Sequence, residues 1–148
     1  MFQTIVVGVD GSEPSDKALR MACDLARKYD AILHLVHSPQ QEATVFASAA
    51  VVGLPAVADI PTQVSLDALG QAILSQAKAI AAECGRPDVH THLLQGDPGD
   101  EIVECAVRVD ADLIVTGRLG LGNLAGLVLG STTQRIMHDA KCAVLTVA

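Results

Sequence analysis

The sequence predicts an α/β fold, a doubly wound parallel sheet with helices on both faces. Short aliphatic runs alternate with helical patterns along the chain, which is the signature of right-handed βαβ crossovers. The runs are apolar throughout, as strands covered on both faces are. Half of the 148 residues are hydrophobic and only 2% are aromatic. Ala, Val, Leu and Ile must therefore build the core. The length fits one domain of ordinary size, taken as residues 1–148.

The elements follow in order. Residues 4–10 (TIVVGVD) form a β-branched run that stops at Asp10-Gly11-Ser12, which is turn and capping chemistry. From about Pro14, apolar residues at Ala18, Ala22, Leu25, Ala26 and Tyr29 recur at helical spacing. Residues 32–37 (ILHLVH) form a second strand, ended by Ser38-Pro39. Residues 43–58 are uncharged and rich in small side chains, and read as a pliable connection or a partner-facing flap. Ser65 is expected to cap a long helix with Leu66, Leu69, Ile73, Ala77 and Ile80 on one stripe, closed by Gly85. Residues 89–95 form a third strand, with His90 and His92 on one face. Gly96-Asp97-Pro98 turns into a helix striped by Ile102, Ala106 and Val109. Residues 112–116 form a fourth strand, a glycine-rich stretch runs from 117 to 130, and a last helix starts near Ser131. Residues 142–147 form the final strand.

Charge and composition exclude several functions. The net charge of −7 leaves no basic face for duplex nucleic acid. The three aromatic residues, Phe2, Tyr29 and Phe46, offer no stacking platform for single strands. The four cysteines never form CxxC, so free thiols in a reducing cytoplasm are expected. The N-terminal residues lack a signal-peptide pattern, and no run is long enough to span a bilayer. His90 and His92 have no evident third ligand, so no metal site is assigned.

In open α/β sheets, ligands sit beyond the carboxyl ends of the strands, where the strand order reverses. Two strand ends look built for this. One is Gly8-Val9-Asp10 and the other is Thr116-Gly117 with the stretch that follows. Glycines let backbone amides approach phosphate oxygens. Gly130-Ser131-Thr132 stands at a helix N-terminus, where unpaired amides and the helix dipole favour an anion. No GKS or GKT is present, so this is no Walker loop. Nor does GxGxxG follow the first strand, which disfavours a dinucleotide site.

Gly117-x2-Gly120-x9-Gly130-Ser131 resembles the motif of the universal stress proteins, in the branch that binds ATP. The resemblance extends over residues 5–12, 33–37, 96–98, 111–117 and 142–147, and leaves out about 40–62. It implies a five-stranded parallel sheet of order 3-2-1-4-5. It implies that Asp10 lies beside a nucleoside and that Gly8 and Val9 line its pocket. Ser38 takes the position whose backbone meets adenine, where the family usually has Val. Gly117, Gly120, Gly130, Ser131 and Thr132 match the ribose and phosphate contacts. Between the first two glycines the family commonly has Ser-Arg or Ser-His. This chain has Arg118-Leu119, with the cation one position earlier. Arg118 is therefore a phosphate candidate of altered geometry, and AMP or ADP become alternatives to ATP.

The expected function is that of a cytoplasmic stress-response switch that binds ATP with Mg²⁺ and hydrolyses it slowly at most. The sequence shows no general base for a γ-phosphate, no Walker lysine and no arginine finger. The alternative is an adaptor for a regulated protein partner, with a degenerate nucleotide site. An adenylate-forming enzyme ranks last, because its motifs are missing. The resemblance also implies a homodimer through the final strand, residues 143–147.

Overall fold

The computed structural model describes residues 1–39, 63–120, 126 and 128–148. The connection at 43–58 and part of the glycine-rich stretch, residues 121–125 and 127, lie outside the described residues. The described elements are β1 (Thr4–Gly8), α1 (Glu13–Tyr29), β2 (Ile32–His37), α2 (Gln63–Glu83), β3 (His90–Leu93), α3 (Pro98–Arg108), β4 (Leu113–Gly117), α4 (Ser131–Asp139) and β5 (Ala143–Val147).

The five strands form one sheet of order β3-β2-β1-β4-β5, and every pairing is parallel. This is the order the resemblance implied. β1 lies in the middle and its chain leaves toward β2, while β4 starts the other half. The order therefore reverses between β1 and β4, and a crevice opens at their carboxyl ends.

Alternation along the strands divides the core into two layers. Ile5, Val7, Val9, Leu33, Leu35 and Val115 face α1 and α2. Val6, Val36 and Ile114 face α3 and α4. Each fully buried aliphatic side chain contributes about 1.5–3 kcal/mol. Among the described residues, the layers bury no aromatic ring, in keeping with the composition.

Ser12, within the capping turn at Asp10-Gly11-Ser12, is the N-cap of α1. Two boundaries differ from the sequence reading. Ser65 lies inside α2, two residues past its first residue. β3 covers only four residues, because it is an edge strand with a single neighbour. Gly85 does follow α2 in a left-handed conformation, with φ +81°. The Arg86 N–H donates to the Ala81 carbonyl at 2.8 Å, the bond that closes such a helix end.

Candidate functional site

β1 ends at Gly8, and Val9 and Asp10 carry the chain out over the crevice. The Val9 N–H donates to the Val36 carbonyl at 2.9 Å. His37 Nδ1 donates to the Val9 carbonyl at 2.7 Å. Burial holds the His37 imidazole below its ordinary value, against the opposing pull of that bond and of Asp10. The ring is therefore neutral at pH 7, with its proton on Nδ1. It clamps the backbone that would face a nucleoside.

Asp10 turns back on the first turn of α1. Its Oδ1 accepts from the Ser12 N–H at 2.9 Å and from the Ser12 hydroxyl at 2.5 Å. Its own N–H donates to Ser15 Oγ at 3.1 Å. Asp16 shares this corner, and its carboxyl is raised by burial, with Asp10 adding to the rise. Asp10 and the N-cap thus act as one unit, with Ser12 as the cap and Asp10 as its anchor.

The glycines of the motif meet this unit. A Cβ on Gly120 would fall 2.6 Å from Asp10 Oδ2, so the chain passes the carboxylate with no room for a side chain. A Cβ on Gly117 would fall 2.9 Å from the Pro14 carbonyl carbon. Gly117 is therefore needed for β4 to reach the start of α1, besides any ligand contact. Gly130 differs. It lies in extended backbone, with φ −69° and ψ 156°. A Cβ there would meet Gly120 N and the Arg118 carbonyl oxygen at an ordinary 3.6 Å. The Gly130 N–H donates to the Arg118 carbonyl at 2.9 Å, which brings the two ends of the glycine-rich stretch together.

α4 starts here. Gly130 is its N-cap and supplies no side-chain bond, and the first-turn amides of a helix have no acceptor within it. Ser131 is exposed and Thr132 half-buried at this end. Thr133, which the sequence reading passed over, is buried and donates to the Gly117 carbonyl at 2.8 Å. It ties the helix start to the end of β4. Its signal was present as a third hydroxyl in Ser131-Thr132-Thr133, but only the packing distinguishes it. Thr116 is also buried and donates to the same carbonyl at 3.3 Å.

Two further candidates contribute differently. Arg118 is exposed, and its N–H extends the ladder to the Val147 carbonyl at 2.7 Å. Ser38 is buried, and its hydroxyl donates to the Gly96 carbonyl at 2.8 Å. Gly8 packs under the crevice, where a Cβ would meet Ile102 Cδ1 at 2.7 Å. The structure thus gathers Asp10, Gly117, Gly120 and Gly130 at one strand end, with Val9 and Ser38 on its β2 side.

Among the described residues, no group of three or more His, Cys, Asp or Glu has the geometry of a metal site. No described helix is long and apolar enough to cross a membrane. A separate depression lined by Val103, Val107, Ile114, Ala140 and Cys142 lies against α3 and contains none of the crevice residues.

The arrangement offers a backbone cradle for an anion, an aliphatic strand end and one carboxylate. Comparison with known proteins agrees with this architecture. The universal stress protein MJ0531 of Methanocaldococcus jannaschii is 35% identical over 149 residues, covering 99% of this chain and 82% of that protein. A universal stress protein solved in complex with cAMP is 32% identical, with a TM-score of 0.71, covering 99% of this chain and 97% of that one. The structure of hypothetical protein MJ0577 is 21% identical and shares the fold, with a TM-score of 0.73 and coverage of 99% and 96%. The model of the universal stress protein family matches residues 1–148, and the chain belongs to that family.

Proposed function

We propose that the chain binds an adenine nucleotide in the β1/β4 crevice and acts as a nucleotide-dependent switch in a stress response. The observation that carries this reading is the approach of Gly120 to Asp10, and of Gly130 to Gly120, at the switch point. The relative in complex with cAMP supports an adenine nucleotide as the ligand. In this reading Gly120, Gly130, Ser131 and Thr132 offer amides and hydroxyls to ribose and phosphate. Gly8, Val9 and Asp10 lie beside the nucleoside. The Ser38 hydroxyl is bonded to Gly96, so adenine would meet Ser38 through its backbone. With no Trp and only one Tyr in the chain, the base would have little to stack on and would rest on aliphatic walls. Mg²⁺ would arrive with the phosphates of ATP and help offset the chain's negative charge. The cell compartment consistent with four free thiols is the cytoplasm.

A homodimer through β5 belongs to the same proposal. β5 is an edge strand with one neighbour, and Val144 to Val147 are half-buried. Pairing with a second copy would cover that aliphatic edge. The adaptor reading draws on the exposed Arg118, which leaves the cradle without a shown cation. It expects a protein partner held equally with and without nucleotide.

A thermal-shift titration with ATP and Mg²⁺ tests the proposal. Ligand at 100 times its dissociation constant stabilises by about 2.7 kcal/mol. The variant Gly130→Glu has room for its Cβ, so it should fold as before. Its carboxylate would occupy the anion cradle and lower ATP affinity by about 100-fold. No shift of the parent chain at millimolar ATP overturns the reading.

A further inference from the structure

Three of the five histidines meet on one face of the sheet, away from the crevice. The parallel register places His34 opposite His90 and Val36 opposite His92. The side chains of His34 and Val36 share a face, and Val36 belongs to the layer covered by α3 and α4. The His34 ring stacks on His90 at 4.8 Å between centroids and on His92 at 5.2 Å. His34 Nδ1 lies 2.9 Å from His92 Nε2. One of these nitrogens must donate and the other accept, so the pair holds one proton between them. When both rings are imidazolium, both nitrogens become donors and the bond gives way to repulsion.

The surroundings offer no relief. From β3, His90 faces the pair. From α3, Arg108 places a permanent positive charge near His92. The other ionisable groups on that helix lie elsewhere. Cys105 is buried in the core layer, Glu104 is exposed, Glu101 packs toward Gly96, and Asp100 pairs with Arg135 of α4. The neighbour in β1 is the apolar Val6. Burial first, then His92 and His90, push the His34 ring down to about 4. Burial, Arg108 and His90 likewise lower His92.

We propose that the His34–His92 pair, with His90 stacked on it, makes the β2–β3 edge an acid-released joint. The edge is closed at neutral pH and opens as the pH falls through the mildly acidic range. The sign follows from the lowered His34 value. The released ring titrates near 6.5, so the closed edge has its full stability above that pH. The stability is lost progressively as the pH falls toward about 4. β3 is short and has one neighbour, so it is the strand most easily released. Beyond it, the Leu94 N–H donates to the His37 carbonyl and Ser38 Oγ to the Gly96 carbonyl. Opening β3 therefore loosens His37 and Ser38, which border the crevice. β4 carries no ionisable side chain and serves as the internal control.

Amide hydrogen exchange and histidine ring titration by NMR, at pH 7 and pH 5 on the full chain without nucleotide, test this. The readout does not depend on the proposed function. The His34 ring should titrate well below 6.5. After correction for intrinsic exchange, the open population at His92 and Leu94, whose N–H groups face β2, should rise about 20-fold, the factor one such ring supplies. Ile114 and Val115 should change by less than about twofold. His34→Gln keeps a hydrogen-bonding partner for His92 without ionising, and should reduce the β3 response several-fold. A His34 ring that titrates at or above 6.5 overturns the proposal, as does an equal response of β3 and β4 in the parent chain. Both readings come from the unmodified protein, so they decide the matter even where His34→Gln does not fold.

Discussion

At the amino ends of the strands, charged side chains bond directly to main-chain groups of other elements, whereas at the carboxyl ends glycines and short hydroxyls bring the elements together. The Asp112 carboxylate accepts from the N–H groups of Gln3 and Thr4 at 2.6 and 2.9 Å, joining the starts of β1 and β4. Arg86 donates to the carbonyls of Ala26 and Ala31 at 3.1 and 2.8 Å, joining the end of α1 to the start of β2. At the other end, Thr133 reaches the Gly117 carbonyl, Ser38 reaches Gly96, and Ser12 is held by Asp10. Charged side chains saturate the backbone groups they meet and leave nothing for a ligand. Glycines and hydroxyls bring two main chains close and leave the start of α4 without a side-chain cap. One end is built for stability and the other for recognition.

Arg86→Ala gives the largest expected effect on stability and the cleanest separation of the two ends. The Arg86 side chain is only 11% exposed, so its removal takes the side-chain donor from the Ala31 carbonyl and one of several donors from the Ala26 carbonyl, and loses a well-packed stem. Hydrogen bonds from a charged group are each worth about 1.5–3 kcal/mol, so the loss should be about 3 kcal/mol in urea unfolding. Nucleotide affinity of the folded variant should stay within about twofold of the parent. An affinity that falls with the stability would break the division between the ends.

Gly117→Ala comes next and sharpens the comparison from the other side. Its Cβ would press on the Pro14 backbone, and a well-packed contact resists such insertion at about 1–3 kcal/mol. The strain would move the first turn of α1, and with it Ser12 and Asp10. Here stability and nucleotide affinity should fall together, measured by urea unfolding and by titration calorimetry. A variant that loses stability alone would make Gly117 a packing residue with no part in recognition.

The difference between the ends also governs what could be read in the sequence. The carboxyl end was legible because its residues are close in sequence: Gly8 to Ser12 form one turn, and the spacing of Gly117, Gly120 and Gly130 is a pattern along the chain. What the pattern hid was a second role for Gly117, since the Pro14 backbone is its neighbour only in space. Within Asp10-Gly11-Ser12 both polar residues can cap a helix, and the sequence does not say that Ser12 is the cap and Asp10 its anchor. The amino end was not legible at all. Asp112 lies more than a hundred residues from Gln3 and Thr4, and Arg86 far from Ala26 and Ala31, so no local signal couples them. The histidine cluster was half legible. Alternation put His90 and His92 on one face, but only the β2–β3 register brings His34 to them.

The smallest expected effect belongs to Asp112→Asn, and its pH dependence is the informative part. Hydrogen bonds from the Gln3 and Thr4 amides hold the Asp112 carboxyl below its ordinary 3.8. A lowered carboxylate contributes stability above that pH, and the contribution disappears as the pH falls through the lowered value. Asn keeps an acceptor for one amide but lacks the charge that favours both. Thermal melts should therefore place the variant slightly below the parent at pH 7, by less than for Gly117→Ala. The gap should close as the pH falls below 3.8 and through the lowered value, where the parent's own carboxyl becomes protonated. The histidine edge predicts its change at a higher pH, between about 6.5 and 4, in both proteins alike. A gap between parent and variant that instead narrows across that higher range would mean the amino end and the β3 edge are coupled, and the comparison would need three regions rather than two.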